Sequence, residues 1–334
     1  MGRGSGVAPS RARVAVALSL LLLLLALATP ALAQVAYPSR SIRIIVPFQP
    51  GGSSDVIARI LAGPLQQALG QTVFVENRGG GGSNIGTAVA ARADADGYTL
   101  LLTTSAFVAN PSLYQSVPYD AFKDFAPIAD LAVAPNVLVA NLDAGIASLP
   151  DLVKRAKAEP NALNYASAGV GTTPHMAVEL LKVRAGINLT HVPYSGGGPA
   201  TQAVLAGTTQ LFVGSMPNVH DHVRAGTVKG LGVTSAQRWS DLPDVPTFIE
   251  SGFPDFVSET IHILLAPAGT PDDIVERLSQ ETIAILRRPE MIERLTQAGY
   301  FTVAGGRDAL KARIAREVPF YRQLVEAAKI RVEP

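Results

Sequence analysis

Ile42-Arg43-Ile44-Ile45-Val46-Pro47-Phe48-Gln49-Pro50-Gly51-Gly52-Ser53-Ser54-Asp55-Val56-Ile57-Ala58-Arg59 runs from an apolar stretch through a Pro/Gly loop into an amphipathic pattern. The order predicts strand, loop, helix. Glycines let a backbone turn sharply and approach a ligand, and Ser53, Ser54 and Asp55 are types whose oxygens accept the first free N–H groups of a helix. Such a loop can hold an anion with no cationic side chain. The same residues also read as an ordinary strand-to-helix turn, so the decision rests on the remainder of the chain.

Residues 1–33 carry Arg3, Arg11 and Arg13, an apolar block from Val14 to Ala28, and Ala31-Leu32-Ala33 ahead of Gln34. This is the pattern of a secretory signal cleaved after Ala33, with a block short for a spanning helix. The mature chain is expected to be a free periplasmic protein. With 0 Cys there is no disulfide framework, thiolate metal site or cysteine to carry a lipid. The three leader arginines bring 28 Lys+Arg down to 25, against 27 Asp+Glu, a formal charge of −2. No basic stripe interleaved with aromatics is left, which excludes nucleic acid as an expected partner.

Strands and helices alternate almost throughout. Ile42–Val46 leads to a helix near Asp55–Leu69, Val73–Glu76 leads through a glycine run to a helix around Ile85–Ala93, and Thr99–Thr103 follows. These are βαβ units. From Asn136–Ala140 the pattern restarts: a capping box at Ser148-Leu149-Pro150-Asp151, strands at Asn164–Ser167, Leu189–Val192, Leu211–Val213 and Gly230–Thr234, and helices between them. The chain returns along Ile261–Ala266; Thr270 is expected to cap a helix with Pro271 at its first position, and further helices end the sequence. The predicted fold class is α/β with a discontinuous first lobe, residues 34–135 and 261–334, and a second lobe, 136–260. Two crossings, near Pro135 and Ile261, would let the lobes hinge.

The loop Pro47-Phe48-x-Pro50-Gly51-Gly52-x-x-Asp55, the turn Glu76-Asn77-Arg78 with its glycines, Asp96-Gly97-Tyr98-Thr99-Leu100 and Asn110-Pro111-x-Leu113-Tyr114 occur in order. They are followed by Val117-Pro118-Tyr119-Asp120, His191-Val192-Pro193-Tyr194, Val233-Thr234-Ser235 with Arg238, Leu242-Pro243-Asp244-Val245-Pro246-Thr247 and Ala266-Pro267-Ala268-Gly269-Thr270-Pro271. Together they closely resemble the Bug-type extracytoplasmic solute receptors of tripartite tricarboxylate transporters, from about Tyr37 to the C-terminus. The resemblance implies a two-lobed type II periplasmic binding-protein fold that captures a small carboxylate between its lobes. It implies partner membrane subunits, a monomeric receptor, no cofactor and no catalysis.

Carried over by position, the first lobe offers Phe48, Pro50, Gly51, Gly52 and Ser53 with Thr104, Ser105 and Ala106 after the third strand. The second offers Ala168, Gly169, Gly171, Thr172, Thr173, the turn Ser195 to Gly198 including Gly197, and Ser215, with Ile261 at the return crossing. Hydroxyls just past apolar strands suit a carboxylate, and Gly169, Gly171 and Gly198 free adjacent amides. Thr172 or Thr173 can equally cap the helix that Pro174 begins. Where relatives place a Trp ahead of the Ala-Pro-Ala-Gly-Thr-Pro stretch, this chain has Thr260-Ile261-His262-Ile263, and its 1 Trp, Trp239, sits in a polar turn. His262 is then either a replacement donor in the cleft or a structural histidine.

Other signals are weaker. His220 and His222 fall on different helix faces, which argues against a metal site, and Gly169-Val170-Gly171-Thr172-Thr173-Pro174 has Pro where a dinucleotide fingerprint needs its third glycine. No nucleophile elbow or P-loop is present. A solute-binding protein explains the leader, the lobes and the hydroxyl-rich loops. A periplasmic hydrolase would need a nucleophile, base and orienter that the five His do not supply by motif, whereas a ligand-sensing receptor for a two-component system would use the same cleft.

Overall fold

Two strands buried on nearly every side anchor the first half of the computed structural model, which describes residues 1–2 and 37–328. In β1 (Ile42–Val46) and β3 (Thr99–Thr104), Ile44, Ile45, Val46, Leu100, Leu101 and Leu102 are fully enclosed. Continuous apolar runs of this kind mark parallel strands covered on both faces. β2 (Val73–Asn77) and β3 flank β1 in parallel. The chain returns between them through α1 (Ser53–Leu69) and α2 (Asn84–Ala91). Residues 3–33 of the expected signal segment and its cleavage site lie outside the described residues.

One long strand joins the halves. β4 (Phe125–Ala140) runs antiparallel to β9 (Glu259–Pro267) from Phe125 to Pro135, then pairs from Asn136 with β7 (Leu211–Ser215) and from Val137 with β8 (Lys229–Val233). With β5 (Asn164–Ser167) and β6 (Thr190–Pro193) the path is β2-β1-β3-β9-β4-β7-β5-β6, and β10 (Phe301–Gly305) joins β4. From Arg40 onward this is one compact unit.

Helices α3 (Ala106–Leu113), α4 (Leu149–Ala158), α5 (Thr173–Ala185), α6 (Gly197–Leu205) and α7 (Met216–Arg224) cover the strands. After β9 come α8 (Asp272–Leu286), α9 (Pro289–Gln297) and α10 (Arg307–Ala328). Leu310, Ile314, Val318, Tyr321 and Val325 form a stripe on α10 at three- and four-residue spacing, packed into the core that holds Phe107, Tyr119 and Phe125. Phe107 stacks on Tyr119 at 5.4 Å and meets Phe125 edge-on at 5.3 Å. Each buried ring stabilises the fold by roughly 1.5–3 kcal/mol through its apolar area.

Several local expectations are corrected. α3, β10 and the first half of β4 are elements to which the sequence pattern assigns no helix or strand. Thr270 does not cap α8: its hydroxyl donates to Pro267 O at 2.8 Å, and Pro271 stands at the cap position. Trp239 is buried beside Phe301, at 4.8 Å, rather than placed in a polar turn. Among the described residues no helix is long and apolar enough to cross a membrane.

Candidate functional site

Five helices, α1, α3, α5, α6 and α7, each follow a strand, directly or across a short loop, and none has a side-chain cap bond at Gly52, Ser105, Thr172, Gly196 or Ser215. By contrast Ser148 Oγ accepts from Asp151 N at 3.2 Å and caps α4, away from these starts. An uncapped N-terminus presents free N–H groups and about half a positive charge. Gly52 before α1, Ser53 and Ser54 of α1, Thr172 before α5, Gly197 of α6 and Asn218 of α7 line one cavity together with Phe48, Thr104, Ala168 and Thr260. No charged side chain stands on this wall.

In the first half the loop is braced from below. Asp55 accepts from Gly51 N and Arg59 Nε, both at 3.0 Å. Burial raises its pKa, but the bonds from Arg59, Gly51 and Asn77 outweigh that and hold the carboxyl below its usual range. Asn77 Nδ2 donates to Phe48 O at 3.1 Å. Gly51 is exposed, and its amide is engaged by Asp55 rather than facing the cavity.

Ser53 is held from behind by His262, whose Nε2 lies 3.0 Å from Ser53 Oγ, while Tyr300 donates to Ser53 O at 2.5 Å. Complete burial drives the His262 pKa down to about 3, so its ring is neutral and sits behind Ser53, not on the cavity wall. The reading of His262 as a charged or donating cleft residue is corrected accordingly. Ser105 Oγ accepts from Ile261 N at 3.1 Å, and Thr104 Oγ1 accepts from Ala106 N at 3.3 Å. Ser105 and Ala106 are wholly enclosed and off the wall.

In the second half Gly169 and Gly171 take φ of 127° and 84°, values open to glycine but strained for other residues. Thr172 Oγ1 donates to Gly169 O at 2.8 Å, and Gly171 N donates to His175 Nδ1 at 3.3 Å. Behind this loop Tyr165, His191 and His175 stack at 4.8 and 4.3 Å. Burial lowers the His175 pKa to about 4 and, with the nearby His175, that of His191 to about 3. Ser167 Oγ lies 2.7 Å from His191 Nε2, a pair no motif announces; Ser167 is fully enclosed and also bonds both backbone groups of Gly169. That pair braces the loop and exposes no nucleophile.

The remaining expected residues lie apart from the cavity. Ser215 Oγ donates to Thr260 Oγ1 at 2.9 Å, and Thr260 Oγ1 donates on to Asn136 Oδ1 at 2.8 Å. Ser195 is exposed, and its carbonyl accepts from Gln49 N across the cleft at 3.2 Å. Pro50 is exposed, its carbonyl facing Gly198. Thr173 and Ile261 line a separate cavity of about 570 Å³ between α5, α10 and the crossing strands. Reading by motif missed Ser54, Asn218 and Thr260, although Ser54 follows a Gly-Gly pair and Asn218 follows a helix-opening Pro217.

The two halves touch through backbone. An added Cβ on Gly198 would lie 2.4 Å from Pro50 O, and one on Gly52 would lie 3.5 Å from Gly197 N. The cavity between them measures about 20 Å³, room for one water. The cleft is therefore closed in this structure.

Two α/β halves that share crossing strands, with helix starts from both on the cavity between them, define a solute-binding protein of the periplasmic binding-protein type. Such a protein is a receptor and not an enzyme. The chain belongs to the family described as tripartite tricarboxylate transporter family receptor, which matches residues 57–329. Protein BugT of Bordetella pertussis is 38% identical over 284 residues, covering 84% of this chain and 87% of BugT. A protein from the tcbD-tcbE intergenic region of Pseudomonas sp. strain P51 is 38% identical over 291 residues, 87% of each chain. The solved periplasmic binding protein BugD superposes with a TM-score of 0.86 at 34% identity, covering 89% of this chain and 100% of BugD. MatC from Rhodopseudomonas palustris, with bound malate, superposes at 0.82 with 30% identity, over 86% of this chain and 100% of MatC. An R. palustris protein with adipate reaches 0.85 at 31% identity, over 88% and 98%. The family binds small carboxylates and works with a membrane transporter.

Proposed function

We propose that this receptor acts as a monomer in the periplasm after cleavage at Ala33, captures a small organic carboxylate between its halves, and presents it to the membrane subunits of its transporter. Residues 34–135 and 261–334 would move as one lobe and 136–260 as the other, and nucleic acid is no partner. The observation that carries this reading is the set of uncapped helix N-termini on one wall, from both halves, with no cationic side chain. Partial positive charge from oriented amides suits an anion that must be released again. Gly52, Ser53, Ser54, Thr104, Thr172, Gly197 and Asn218 would make the contacts. Relatives holding adipate and malate support a carboxylate as the class. The test is calorimetry of residues 34–334 against mono-, di- and tricarboxylates, with product analysis of the bound ligand. Conversion of the ligand, or binding of none of these acids, would overturn the reading.

A further inference from the structure

The cavity of about 570 Å³ lies on the far side of the crossing strands from the cleft. Successive residues of a strand point to opposite faces, and β9 turns Thr260 toward the small cavity of the cleft while Glu259 and Ile261 line the large one. Its walls come from both halves, α5 and residues 255–258 on one side and α10 on the other. Met176, Leu180, Val257, Ile261, Phe320 and Leu324 give it an apolar lining. Its volume falls within the range of small-molecule sites, about 300–1,000 Å³.

Every cation on this lining already has an acceptor. Arg313 Nε donates to Asp130 Oδ2 at 2.5 Å and its Nη1 to Glu317 Oε1 at 3.0 Å. Arg316 Nη2 lies 3.7 Å from Glu317 Oε1. Arg184 donates to Pro254 O at 2.8 Å and sits over the Phe256 ring. Two carboxylates are left over. Glu259, half-buried, has no hydrogen-bond or ion-pair partner among the described residues, only the more distant charge of Arg313, and the exposed Asp255 carboxylate at the mouth has none either. Burial pushes the Glu259 carboxyl above its usual range although Arg313 pulls it down. A carboxylate held unpaired in apolar surroundings costs free energy that a bound cation offsets. The rings of Phe320 and Tyr321 favour the same charge, because an aromatic face attracts cations. Among the described residues no three His, Cys, Asp or Glu side chains meet to hold a metal ion. An ammonium group on an apolar body matches carboxylate, ring and aliphatic wall at once.

We infer that this cavity is a second binding site, taking an organic cation with an apolar body whose charge is held by Glu259. It does not depend on which acid the cleft takes, so either reading can fail alone. The test is calorimetry of residues 34–334 with phenethylamine, the neutral 2-phenylethanol and the anionic 3-phenylpropionate, on wild type, Glu259→Gln and Phe320→Ala. The amine should bind wild type about 10- to 100-fold tighter than the alcohol. Glu259→Gln keeps the shape and removes the charge, and should bring the amine down to the affinity of the alcohol. Phe320→Ala should weaken the amine about 2- to 5-fold. Phe320 is 55% exposed, so this variant keeps the fold and serves even where Glu259→Gln does not fold. An amine that binds no tighter than the alcohol, or whose affinity either folded variant leaves unchanged, would overturn the inference. So would 3-phenylpropionate binding that Phe320→Ala weakens, because that places an anion in the cavity.

Discussion

Replacing Gly198 by Ala separates closure of the cleft from stability of the fold. Gly198 is the second residue of α6 and its φ lies outside the left-handed region, so alanine is free to adopt the backbone there. Its Cβ would lie 2.4 Å from Pro50 O and 3.4 Å from two Gly51 backbone atoms. Ordinary contact begins near 3.4 Å, so the halves must part by about 1 Å. A hydrogen bond of about 2.9 Å across the cavity then stretches to about 3.9 Å, beyond useful range. Bonds to a charged group contribute about 1.5–3 kcal/mol each, so losing one weakens binding about 10- to 100-fold. Alanine is also the better helix former, by up to about 1 kcal/mol. The variant should melt at or above the wild-type temperature without ligand, yet bind weakly by calorimetry and stay open in small-angle scattering at saturating ligand. Wild-type Kd together with wild-type compaction in Gly198→Ala would refute the closed contact as the binding state.

Thr172→Ala should weaken binding about tenfold through loss of the bond to Gly169 O that shapes the loop, whereas Thr173→Ala, which faces the separate cavity, should leave Kd unchanged; calorimetry showing the reverse order would reassign the site. Ser148→Ala removes the α4 cap and should lower stability by about 1 kcal/mol with no change in ligand Kd, checked by urea unfolding and calorimetry. Stability should fall with acid well above the carboxylate range: His262, His175 and His191 have folded pKa values near 3, 4 and 3, below the unfolded value of about 6.5. The stabilisation from keeping them neutral is thus complete above about pH 6.5 and is lost as pH falls toward those folded values, at up to about 1.4 kcal/mol per pH unit for each titrating ring. Urea midpoints that stay level from pH 7 to pH 5 would contradict this.

The sequence alone determined what depends on near neighbours. β1, α1, β5 and α5 are readable because apolar runs, turn glycines and helix-starting residues act over a few positions, and the ordered motifs identify the family. Elements whose stability comes from distant partners escaped. The first half of β4 is interrupted by Pro127, Asp130 and Pro135, and Asp130 is tolerable in a buried strand because Arg313, 183 positions later, pairs with it. α3 carries Asn110-Pro111 and is buried along most of its length, so no amphipathic period announces it. At the candidate site the residue types pointed to loops that meet at one cavity, but tertiary structure decided which groups line it. Ser105 and Ser215 look as suitable as Ser54, yet Ile261 N and Thr260 Oγ1 engage their hydroxyls from 156 and 45 positions away. Asn218 reads as one polar residue in a helix. A hydrogen bond is satisfied by whatever lies within about 3 Å, and only the folded chain determines what that is.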